Sequence, residues 1–306
     1  MRRAVVAWAR SPANLGLTDP RGAPPWEMLT PGRAVAELTT GDVALGRLDV
    51  LPGLDGVEDG LWALGALEAR GVRVLNAPSA LLACHDKLLT ARLLERAGLP
   101  HPQTRHVNTP DADVAAWQRG AVVKPRFGSM GQDVVRLDDR VGLARTLRSL
   151  QRTGWFRKQG ALVQELVPPL GYDLRVLVAG SRVIGGVKRV APEGEWRTNV
   201  ALGARREPTH VPDDAQILAL RAARALGISL VGVDLLPVEG GGWVILELNG
   251  AVEFTREYNV SDDVFGLARF ALARQASVHP AVRSVVPGAE LLDEEVGAVT
   301  TFDRLV

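Results

Sequence analysis

The spacing of apolar residues predicts a small α/β unit at the start of the chain. Short apolar runs predict buried strands at residues 5–8, 43–45 and 72–75. Helical spacing over residues 60–70 predicts a helix that ends at Gly71. The segment 11–31 is rich in Pro, Gly and Asn, a composition that is typical of a loop. We therefore predict an N-terminal α/β unit over residues 1–84.

The next part of the chain combines one clear helix with several extended segments. Leu89, Leu93 and Ala97 fall on one face of a helix predicted over residues 87–97, and Gly98 follows as its C-terminal cap. Extended segments are predicted at residues 121–124, 134–135 and 162–167. A glycine-bearing turn separates the first two of these segments.

Two hairpins and two helices are predicted in the C-terminal half. The hairpins pair residues 174–179 with 183–190 and residues 230–238 with 243–248, each across a turn that contains glycine. An amphipathic helix is predicted over residues 213–226, with Asp213 as its N-cap. A last helix begins at residue 261 or 262 and runs to about residue 276. The tail from residue 277 shows no strong period.

Composition narrows the class of protein without identifying a function. Hydrophobic residues make up 46% of the 306 residues and charged residues 23%, which are ordinary values for a soluble globular protein. The 36 basic and 35 acidic residues give a net charge of +1, so neither a nucleic-acid nor a membrane partner is indicated. No apolar run approaches the roughly 20 residues of a membrane span. The single cysteine, Cys84, excludes an intrachain disulfide, and we expect a cytoplasmic protein.

The second hairpin brings three oxygen-bearing side chains to one face. If its four-residue turn is symmetric, Asp234 lies opposite Glu247, and Asn249 shares their face because side chains alternate along a strand. Two carboxylates across a strand pair repel each other, and a magnesium ion between them would reverse that penalty. An exposed carboxylate pair on a hairpin explains the pattern equally well. Four apolar residues are expected on the opposite, buried face: Val233, Leu235, Leu246 and Leu248.

A lysine followed by a glycine loop forms a second candidate site. Lys124 ends an apolar strand, and residues 128–131 read Gly-Ser-Met-Gly. Backbone amides of such a loop can hold phosphate oxygens, although no Walker motif is present. A hairpin turn with a surface lysine is the alternative. Residues 164–167, Gln-Glu-Leu-Val, offer backbone groups and a carboxylate that suit adenine and ribose, but they also fit an ordinary edge strand.

Cationic side chains cluster in and just after the first hairpin. Arg175, Lys188, Arg189 and Arg197 lie there, with Asn199 nearby. Guanidinium groups bind phosphate or carboxylate bidentately and stabilise a developing acyl phosphate. For any single member, a solvated charged face is the alternative. The five histidines form no metal-ligand pattern.

These four elements, in this order and spacing, resemble the ATP-grasp superfamily. Within it the chain is most similar to the RimK-type glutamate ligases and the LysX-type ligases, over roughly residues 75–272. Asp86 and Lys87 at a helix start add to the likeness. One departure is that Asn199 is followed by Val-Ala-Leu-Gly-Ala rather than by a glycine pair. The first 75 residues are only weakly similar to the family. Both departures lie in regions that help to select the substrates.

The resemblance implies an α/β (α+β) ATP-grasp fold, with ATP bound between two antiparallel sheets. It implies an N-terminal pre-ATP-grasp domain over residues 1–84, an ATP-grasp domain over residues 85–276 and a tail over residues 277–306. Within the ATP-grasp domain, a central lid subdomain would span about residues 105–165. A C-terminal catalytic subdomain would span about residues 166–276.

The resemblance also implies roles for individual residues. The expected ATP contacts are Lys87, Lys124, Ser129, Met130, Gly131, Gln164, Glu165, Leu166, Val167, Asp173, Arg197 and Asn199. The expected catalytic residues are Arg189, Arg175 and Lys188. The expected ligands of two magnesium ions, with manganese as the alternative metal, are Asp234, Glu247 and Asn249.

The implied activity is that of an ATP-dependent carboxylate–amine ligase that forms an amide through an acyl phosphate. Such an enzyme would add glutamate or another amino acid to a small molecule, a peptide or a carrier protein. Two alternatives stay open, a small-molecule kinase on the same scaffold and a nucleotide-binding regulator without turnover. The sequence does not decide the two substrates, and it does not decide whether the chain forms a homo-oligomer.

Overall fold

The described part of the chain forms three β-sheets with helices packed against them. The structure, a computed structural model, describes residues 1–109, 120–137 and 140–277. All but the first residue of the predicted tail therefore lies outside the described residues. No helix within these ranges is long and apolar enough to cross a membrane.

The first sheet is parallel and is built from the N-terminal part of the chain. Its strands are β1 (Arg3–Val6), β2 (Glu27–Leu29), β3 (Val43–Gly46) and β4 (Arg73–Leu75), in the order β2-β1-β3-β4. The accompanying helices are α1 (Pro12–Leu17), α2 (Pro31–Glu37), α3 (Leu61–Ala69) and α4 (Pro78–His85). The strands and the helix predicted for this part are present, with ends shifted by one or two residues.

The prediction of a loop over residues 11–31 is wrong. The Ser11 hydroxyl accepts a hydrogen bond from the Asn14 backbone at 3.3 Å, and Pro12 begins α1. Strand β2 then pairs with β1, with Met28 opposite Val5. Proline fits the first turn of a helix, where its missing N–H has no partner to lose. Pro12 therefore marks a helix start, as Pro31 does for α2.

The second sheet is antiparallel and follows a capped helix. Helix α5 (Lys87–Arg96) begins at Asp86, whose side chain accepts the backbone N–H groups of Leu88 and Leu89, and Gly98 follows its end with φ +60°. The strands are β5 (Thr104–Val107), β6 (Ala121–Pro125), β7 (Val135–Leu137) and β8 (Ala161–Glu165), in the order β5-β8-β6-β7. Helices α6 (Arg140–Leu150) and α7 (Gly154–Gln159) lie between β7 and β8 in the chain.

The third sheet is also antiparallel and contains both predicted hairpins. Its strands are β9 (Tyr172–Ala179), β10 (Arg182–Val190), β11 (Arg205–Pro208), β12 (Leu230–Pro237) and β13 (Trp243–Asn249), in the order β11-β10-β9-β12-β13. Helices α8 (Asp213–Ala225) and α9 (Val264–Ser277) complete this part. Pro212, rather than Asp213, is the N-cap of α8. Asp213 lies in the first turn, where a carboxylate is favoured by the helix dipole.

A β-bulge sets the register of the second hairpin. Asp234 pairs with Glu247, as the symmetric turn predicts, but Leu235 pairs with Ile245, so Leu246 is the extra residue. Two adjacent residues on the bulged strand therefore oppose one on its partner. Ile245 and Leu248 are buried in the core, whereas Leu246 faces the opposite side with Glu247. The expectation that Leu246 lies on the buried face is wrong for this reason.

The first and third sheets share their hydrophobic cores, whereas the second sheet has its own. One cluster of buried residues contains Ala4 and Ala44 of the first sheet together with Val176 and Val233 of the third. A separate cluster surrounds the second sheet and includes Val123. The space between the second and third sheets is therefore bounded by two separately packed units.

Candidate active site

A cleft opens between the second and third antiparallel sheets. It contains about 890 Å³ of space free of atoms, its open mouth included, which is within the usual size of a small-ligand site. The predicted residues that line it are Lys87, Lys124, Ser129, Met130, Gly131, Gln164, Glu165, Leu166, Val167, Asp173, Arg189, Arg197, Asn199, Asp234 and Glu247. Three further predicted residues, Arg175, Lys188 and Asn249, fall outside its described lining.

Two lysines from different elements converge at one end of the cleft. The Nζ of Lys87, at the start of α5, donates to the Gly128 carbonyl at 2.5 Å and lies 3.3 Å from an Oε of Glu247. The Nζ of Lys124, near the end of β6, donates to the Gln164 side-chain oxygen at 2.7 Å. Burial is the main cause that lowers the pKa of Lys124 to about 8. Glu247 opposes this shift, and nearby Lys87 adds to it. Lys124 therefore stays mostly protonated at neutral pH.

A short network attaches the glycine loop to the start of α5. Both Asp86 carboxylate oxygens accept from Arg126, at 2.8 and 2.6 Å, and the Lys87 backbone N–H donates to the Arg126 carbonyl at 3.1 Å. Asp86 also caps its own helix, so one carboxylate fixes both segments. Lys87 is thereby held beside the loop that carries Gly128.

The glycine loop, residues 128–131, contacts residues 197–199, which follow β10 on the other side of the cleft. Met130 and Gly131 have left-handed backbones, with φ of +55° and +74°. The Gly131 carbonyl accepts from Arg197 at 3.1 Å, and a β-carbon on Gly131 would lie only 2.6 Å from the Asn199 side-chain oxygen. Glycine at this position therefore permits the contact between the two sides of the cleft.

The end of β8 forms the opposite wall. Residues 164–167 all line the cleft. The Glu165 backbone N–H donates to the Gln103 carbonyl at 2.9 Å, and that of Leu166 donates to the Gly120 carbonyl at 3.2 Å. The Leu166 N–H is therefore already used within the sheet. The predicted ATP contacts of Leu166 and Val167 stay predictions.

Four buried charges and a threonine form a closed network on the floor of the cleft. Arg175 donates to both oxygens of Asp234, each at 2.7 Å. Arg189 bridges two carboxylates, donating to Asp234 at 2.7 Å and to both oxygens of Asp173. The Thr198 hydroxyl donates to Asp173 at 2.5 Å. Two guanidiniums and two carboxylates balance one another here, so the floor carries no large excess of charge.

The two guanidiniums keep Asp234 ionised. Burial alone would raise the pKa of this carboxyl, but Arg175 and Arg189 outweigh burial and lower the pKa to about 2. Asp234 is therefore an anion over the physiological pH range. Its side chain is 1% exposed, so the charge is held in place by its partners and not by water.

The donor set at this end suits magnesium only in part. Glu247 and Asp234 face the cleft from paired strands and offer the hard oxygens that magnesium prefers. Asp234 is shared with two guanidiniums, and the Asn249 side-chain oxygen accepts the Ala251 N–H at 3.0 Å. Within the described ranges, no three His, Cys, Asp or Glu side chains converge on a common point. Of the two carboxylates, Glu247 is the more available, because its cationic partner is Lys87 at 3.3 Å whereas Asp234 binds two guanidiniums. Bound phosphate oxygens would have to complete the metal's coordination shell.

The structure separates two of the residues predicted to be catalytic. Arg189 lines the cleft, whereas Lys188 precedes it in the same strand and therefore points to the other face. The Lys188 Nζ lies 4.4 Å from the centre of the Tyr172 ring instead. Arg175 lies outside the described lining of the cleft and donates to Asp234, which is part of that lining, so Arg175 helps to orient this carboxylate. Lys188 therefore lies on the side of the strand away from the cleft, and a catalytic role for it stays a prediction.

Sequence reasoning assigned no role to several residues of the site. Thr198 bonds Asp173, and its place between Arg197 and Asn199 was the available signal. Leu236 and Leu246 line the cleft, but Leu246 does so only because of the bulge. A symmetric turn and an alternating strand give no sign of such a bulge, so the residues alone could not have identified it.

The arrangement divides the cleft into two chemically different ends. One end combines the lysines, the guanidiniums and Glu247, which suits a chain of phosphates. The other end presents the β8 wall and apolar side chains such as Leu166, which suits a flat heterocycle. A reacting group beside the last phosphate would meet Arg189, a cation already oriented by two carboxylates.

Comparisons with known proteins match the chain to a family model and to named ligases. The family described as "RimK-like ATP-grasp domain" matches residues 84–263. The chain is 31% identical over 214 residues to the tetrahydromethanopterin:alpha-L-glutamate ligase of Methanosarcina acetivorans, which covers 64% of this chain. The matched region spans only 65% of that relative's own length.

A second relative and a solved structure extend the likeness. The glutamate–LysW ligase ArgX of Sulfolobus acidocaldarius is 30% identical over 215 residues, covering 69% of this chain and 76% of that protein. The ATP-grasp ligase PsnB, solved with a phosphomimetic variant of its minimal precursor, Mg and ADP, superposes with a TM-score of 0.64. That match covers 90% of this chain and 98% of PsnB at 22% identity, so it shows the fold alone.

Proposed function

The chain belongs to the RimK-like ATP-grasp family, and from this premise we propose that it is an ATP-dependent ligase that joins a carboxylate to an amine. Membership in the family confirms the resemblance and the fold class predicted from the sequence. The proposed boundaries of the lid and catalytic subdomains, the cytoplasmic location and the oligomeric state stay predictions.

One observation carries the proposal. Lys87, Lys124, Arg189 and Glu247 come from separate elements in two separately packed units, and they line a single cleft. Several cations beside a carboxylate in one cleft suit a nucleotide triphosphate, and the wall at residues 164–167 suits its base. We assign the lysines to the phosphates and Glu165 to the ribose.

The first step of the proposed reaction activates the carboxylate. A carboxylate oxygen attacks the γ-phosphorus, the bond to the β–γ bridging oxygen breaks, and ADP and an acyl phosphate form. Lys87 and Lys124 orient the phosphates, and Arg189 stabilises the negative charge on the transferring group. The glycine loop at residues 128–131 would cover the phosphates and exclude water.

The second step forms the amide. The amine nitrogen attacks the acyl carbon, the carbon–oxygen bond to the phosphoryl group breaks, and inorganic phosphate leaves as the nitrogen loses a proton. Arg189 would again stabilise the oxyanion that forms at the acyl carbon. Asp173 and Asp234 hold Arg189 in a fixed orientation, and no covalent nucleophile from the protein is required.

Magnesium would be held by Glu247 and Asp234 together with phosphate oxygens. When bound, it would neutralise phosphate charge and polarise the phosphorus–oxygen bond. We propose two ions, with manganese as a substitute, and we give Asn249 the weakest role because its side-chain oxygen accepts the Ala251 N–H.

We propose an acidic amino acid, with glutamate first, as one substrate. The relatives from M. acetivorans and S. acidocaldarius are named as ligases that use glutamate, which supports this choice. The other substrate is a small molecule, a peptide or a carrier protein. LysW, in the name of the second relative, and the precursor bound to PsnB support the last two classes.

Turnover with a panel of substrates tests the proposal. The protein is incubated with ATP, magnesium and pairs of amino acids, carboxylates and peptides, and ADP release is followed while mass spectrometry identifies the product. An amide with free phosphate is expected. A stable phosphate ester would instead identify a kinase, and nucleotide binding without ADP release would identify a regulator.

Replacing Glu247 tests the site that carries the proposal. We expect Glu247→Gln to reduce ADP release to the background level, because the neutral amide is a weak magnesium ligand. Cooperative unfolding should be retained. Glu239→Gln is the matched control, because Glu239 is an exposed carboxylate in the turn of the same hairpin. Near-normal turnover by Glu247→Gln would remove this residue from the metal site.

A further inference from the structure

A loop of the N-terminal unit crosses to the second sheet. It follows β3 and consists of residues 49–58, which we call the arm. Its two ends are held together by a bridge between Val50 and Val57 and by a hydrogen bond of 2.7 Å from the Glu58 N–H to the Asp49 carbonyl. The Asp49 N–H in turn donates to the Glu58 carboxylate at 3.0 Å. The arm is therefore a closed loop with its own internal structure.

The tip of the arm carries a leucine in an unusual backbone conformation. Leu54 has φ +56°, a left-handed value that disfavours residues with a β-carbon, and its N–H donates to the Leu51 carbonyl at 2.9 Å. Despite this conformation the side chain is only 2% exposed. The tight turn thus directs one apolar side chain away from the unit to which the arm belongs.

Leu54 is buried in the core of the second sheet. That core otherwise contains residues from 107–163, among them Val123 of β6, Val163 of β8 and Phe156 of α7. Among the described residues, Leu54 is the single member contributed by the N-terminal unit. An apolar side chain from one unit therefore completes the hydrophobic core of another.

Polar contacts beside Leu54 reinforce the attachment. The Asp55 carboxylate pairs with Lys158, and the Gln159 side-chain amide donates to the Asp55 carbonyl at 2.5 Å. Both partners lie at the end of α7, next to β8. We call the second sheet with helices α6 and α7 the second unit. The arm contacts the second unit in two ways: Leu54 enters the hydrophobic core of the unit, and Asp55 binds two residues on the surface of the unit.

The attachment of the arm affects the cleft because the second sheet forms one side of the cleft. Lys124 lies in β6, and the wall at residues 164–167 is the end of β8. The unit is held at one side by the contact between Asp86 and Arg126, and by the arm at another. Together with the contact of Gly131 with Arg197 across the cleft, these attachments restrict the orientation of the unit over the third sheet.

We propose that Leu54 is a positioning residue, which sets the orientation of the second unit and thereby the spacing of the nucleotide groups across the cleft. The inference rests on the proposed function only in taking the cleft as a nucleotide site. Leu54 touches no reacting group and acts through β6 and β8. The arm would link the carboxyl edge of the N-terminal sheet to the half of the cleft that carries Lys124.

Nucleotide titration of three variants tests the inference. Binding of a non-hydrolysable ATP analogue with magnesium is measured by calorimetry for the wild type, Leu54→Ala and Leu54→Met. We expect the Kd of Leu54→Ala to rise on the order of tenfold, because small misplacements of binding groups are costly. Leu54→Met, which keeps an apolar side chain, should restore most of the affinity.

The number of binding sites separates positioning from simple loss of structure. A merely structural role would lower the fraction of protein that binds and leave the Kd of the remaining fraction unchanged. A positioning role raises the Kd at full stoichiometry. Leu51→Ala is the matched control, because Leu51 is a leucine of the same arm that is 37% exposed and should show no change.

Variants outside the core keep the test decisive if Leu54→Ala does not fold. Asp55→Ala and Lys158→Ala each remove the ion pair without opening a cavity, and each should raise the Kd by a smaller factor than Leu54→Ala. Wild-type affinity in both, or in a folded Leu54→Ala, would overturn the inference. Because binding is measured without turnover, the result is independent of whether wild-type protein forms an amide.

Discussion

At the scale of single residues, the clearest result is the separation of two neighbouring cations. Lys188 and Arg189 are adjacent in the sequence and share one predicted role, yet strand alternation puts them on opposite faces. Arg189 donates to Asp173 and Asp234 in the cleft, while Lys188 lies over the Tyr172 ring. A pattern of charges along a strand identifies a strip, but only the pairing partners identify the functional face.

This separation predicts different effects for two alanine variants. We expect Arg189→Ala to lose about 3 kcal/mol or more of transition-state stabilisation, a rate loss of at least a hundredfold, because an oriented cation is removed from the reacting group. Lys188→Ala should keep its rate within about threefold, because Lys188 lies outside the described lining of the cleft, and its cation–π contact with Tyr172 contributes only to stability. Single-turnover rates of the two variants are compared with the wild-type rate. The free energy of unfolding is measured in parallel, because Arg189→Ala removes the guanidinium that binds the buried Asp173. Equal rates in both variants would contradict the assignment.

At the scale of elements, the glycine loop depends on its two glycines unequally. Gly131 has φ +74°, and a β-carbon there would meet Asn199 at 2.6 Å and Leu202 at 3.0 Å. A β-carbon on Gly128 would meet nothing closer than Pro125 at 3.7 Å, an ordinary contact. The sequence presents both as parts of one flexible turn, whereas the structure gives them different constraints.

The loop therefore offers a matched pair of variants. We expect Gly131→Ala to weaken nucleotide binding on the order of tenfold, because the left-handed backbone costs roughly 1–2 kcal/mol and the loop must move away from Asn199. Gly128→Ala should bind nucleotide nearly as the wild type does, and its carbonyl should still accept from Lys87. Titration with ADP and magnesium checks both. Similar affinities for the two variants would show that the contact with Asn199 does not shape the loop.

At the scale of the whole molecule, one buried asparagine joins the first and third sheets. Asn76 follows β4 and is 1% exposed. Its amide donates to the carbonyls of Leu230 and Gly250 at 2.9 and 3.2 Å, and its oxygen accepts the N–H groups of Ser229 and Leu230, each at 2.9 Å. These hydrogen bonds connect the end of β4 in the first sheet to the backbone beside β12 and β13 in the third sheet.

Removing this side chain should destabilise the whole fold. We expect Asn76→Ala to lower the free energy of unfolding by about 3 kcal/mol or more, because several backbone groups would stay buried without partners. Urea denaturation followed by tryptophan fluorescence measures the change. Asn259→Ala, which removes hydrogen bonds at a more exposed turn, should cost less. An unchanged midpoint for Asn76→Ala would mean that water replaces its hydrogen bonds.

The sequence by itself determined the features that depend on local patterns. Apolar periodicity and caps determined α5, α8 and both hairpins to within a few residues, because these signals act between near neighbours. The motifs also named every charged residue in the described lining of the cleft, but they missed most of its apolar residues. They failed at α1, where proline begins a helix instead of marking a loop.

Only the tertiary structure decided how these elements face one another. The burial of Leu54 in another unit's core and the two guanidiniums that bind Asp234 each depend on partners far away in the chain. The bulge at Leu246 lies within a local hairpin, but the alternating pattern of the strand carries no sign of it. Side-chain packing and ion pairing act through space, and a single sequence records no distances between remote segments. The types of group available for phosphate chemistry were therefore readable from the residues, whereas their orientation and mutual support came from the fold.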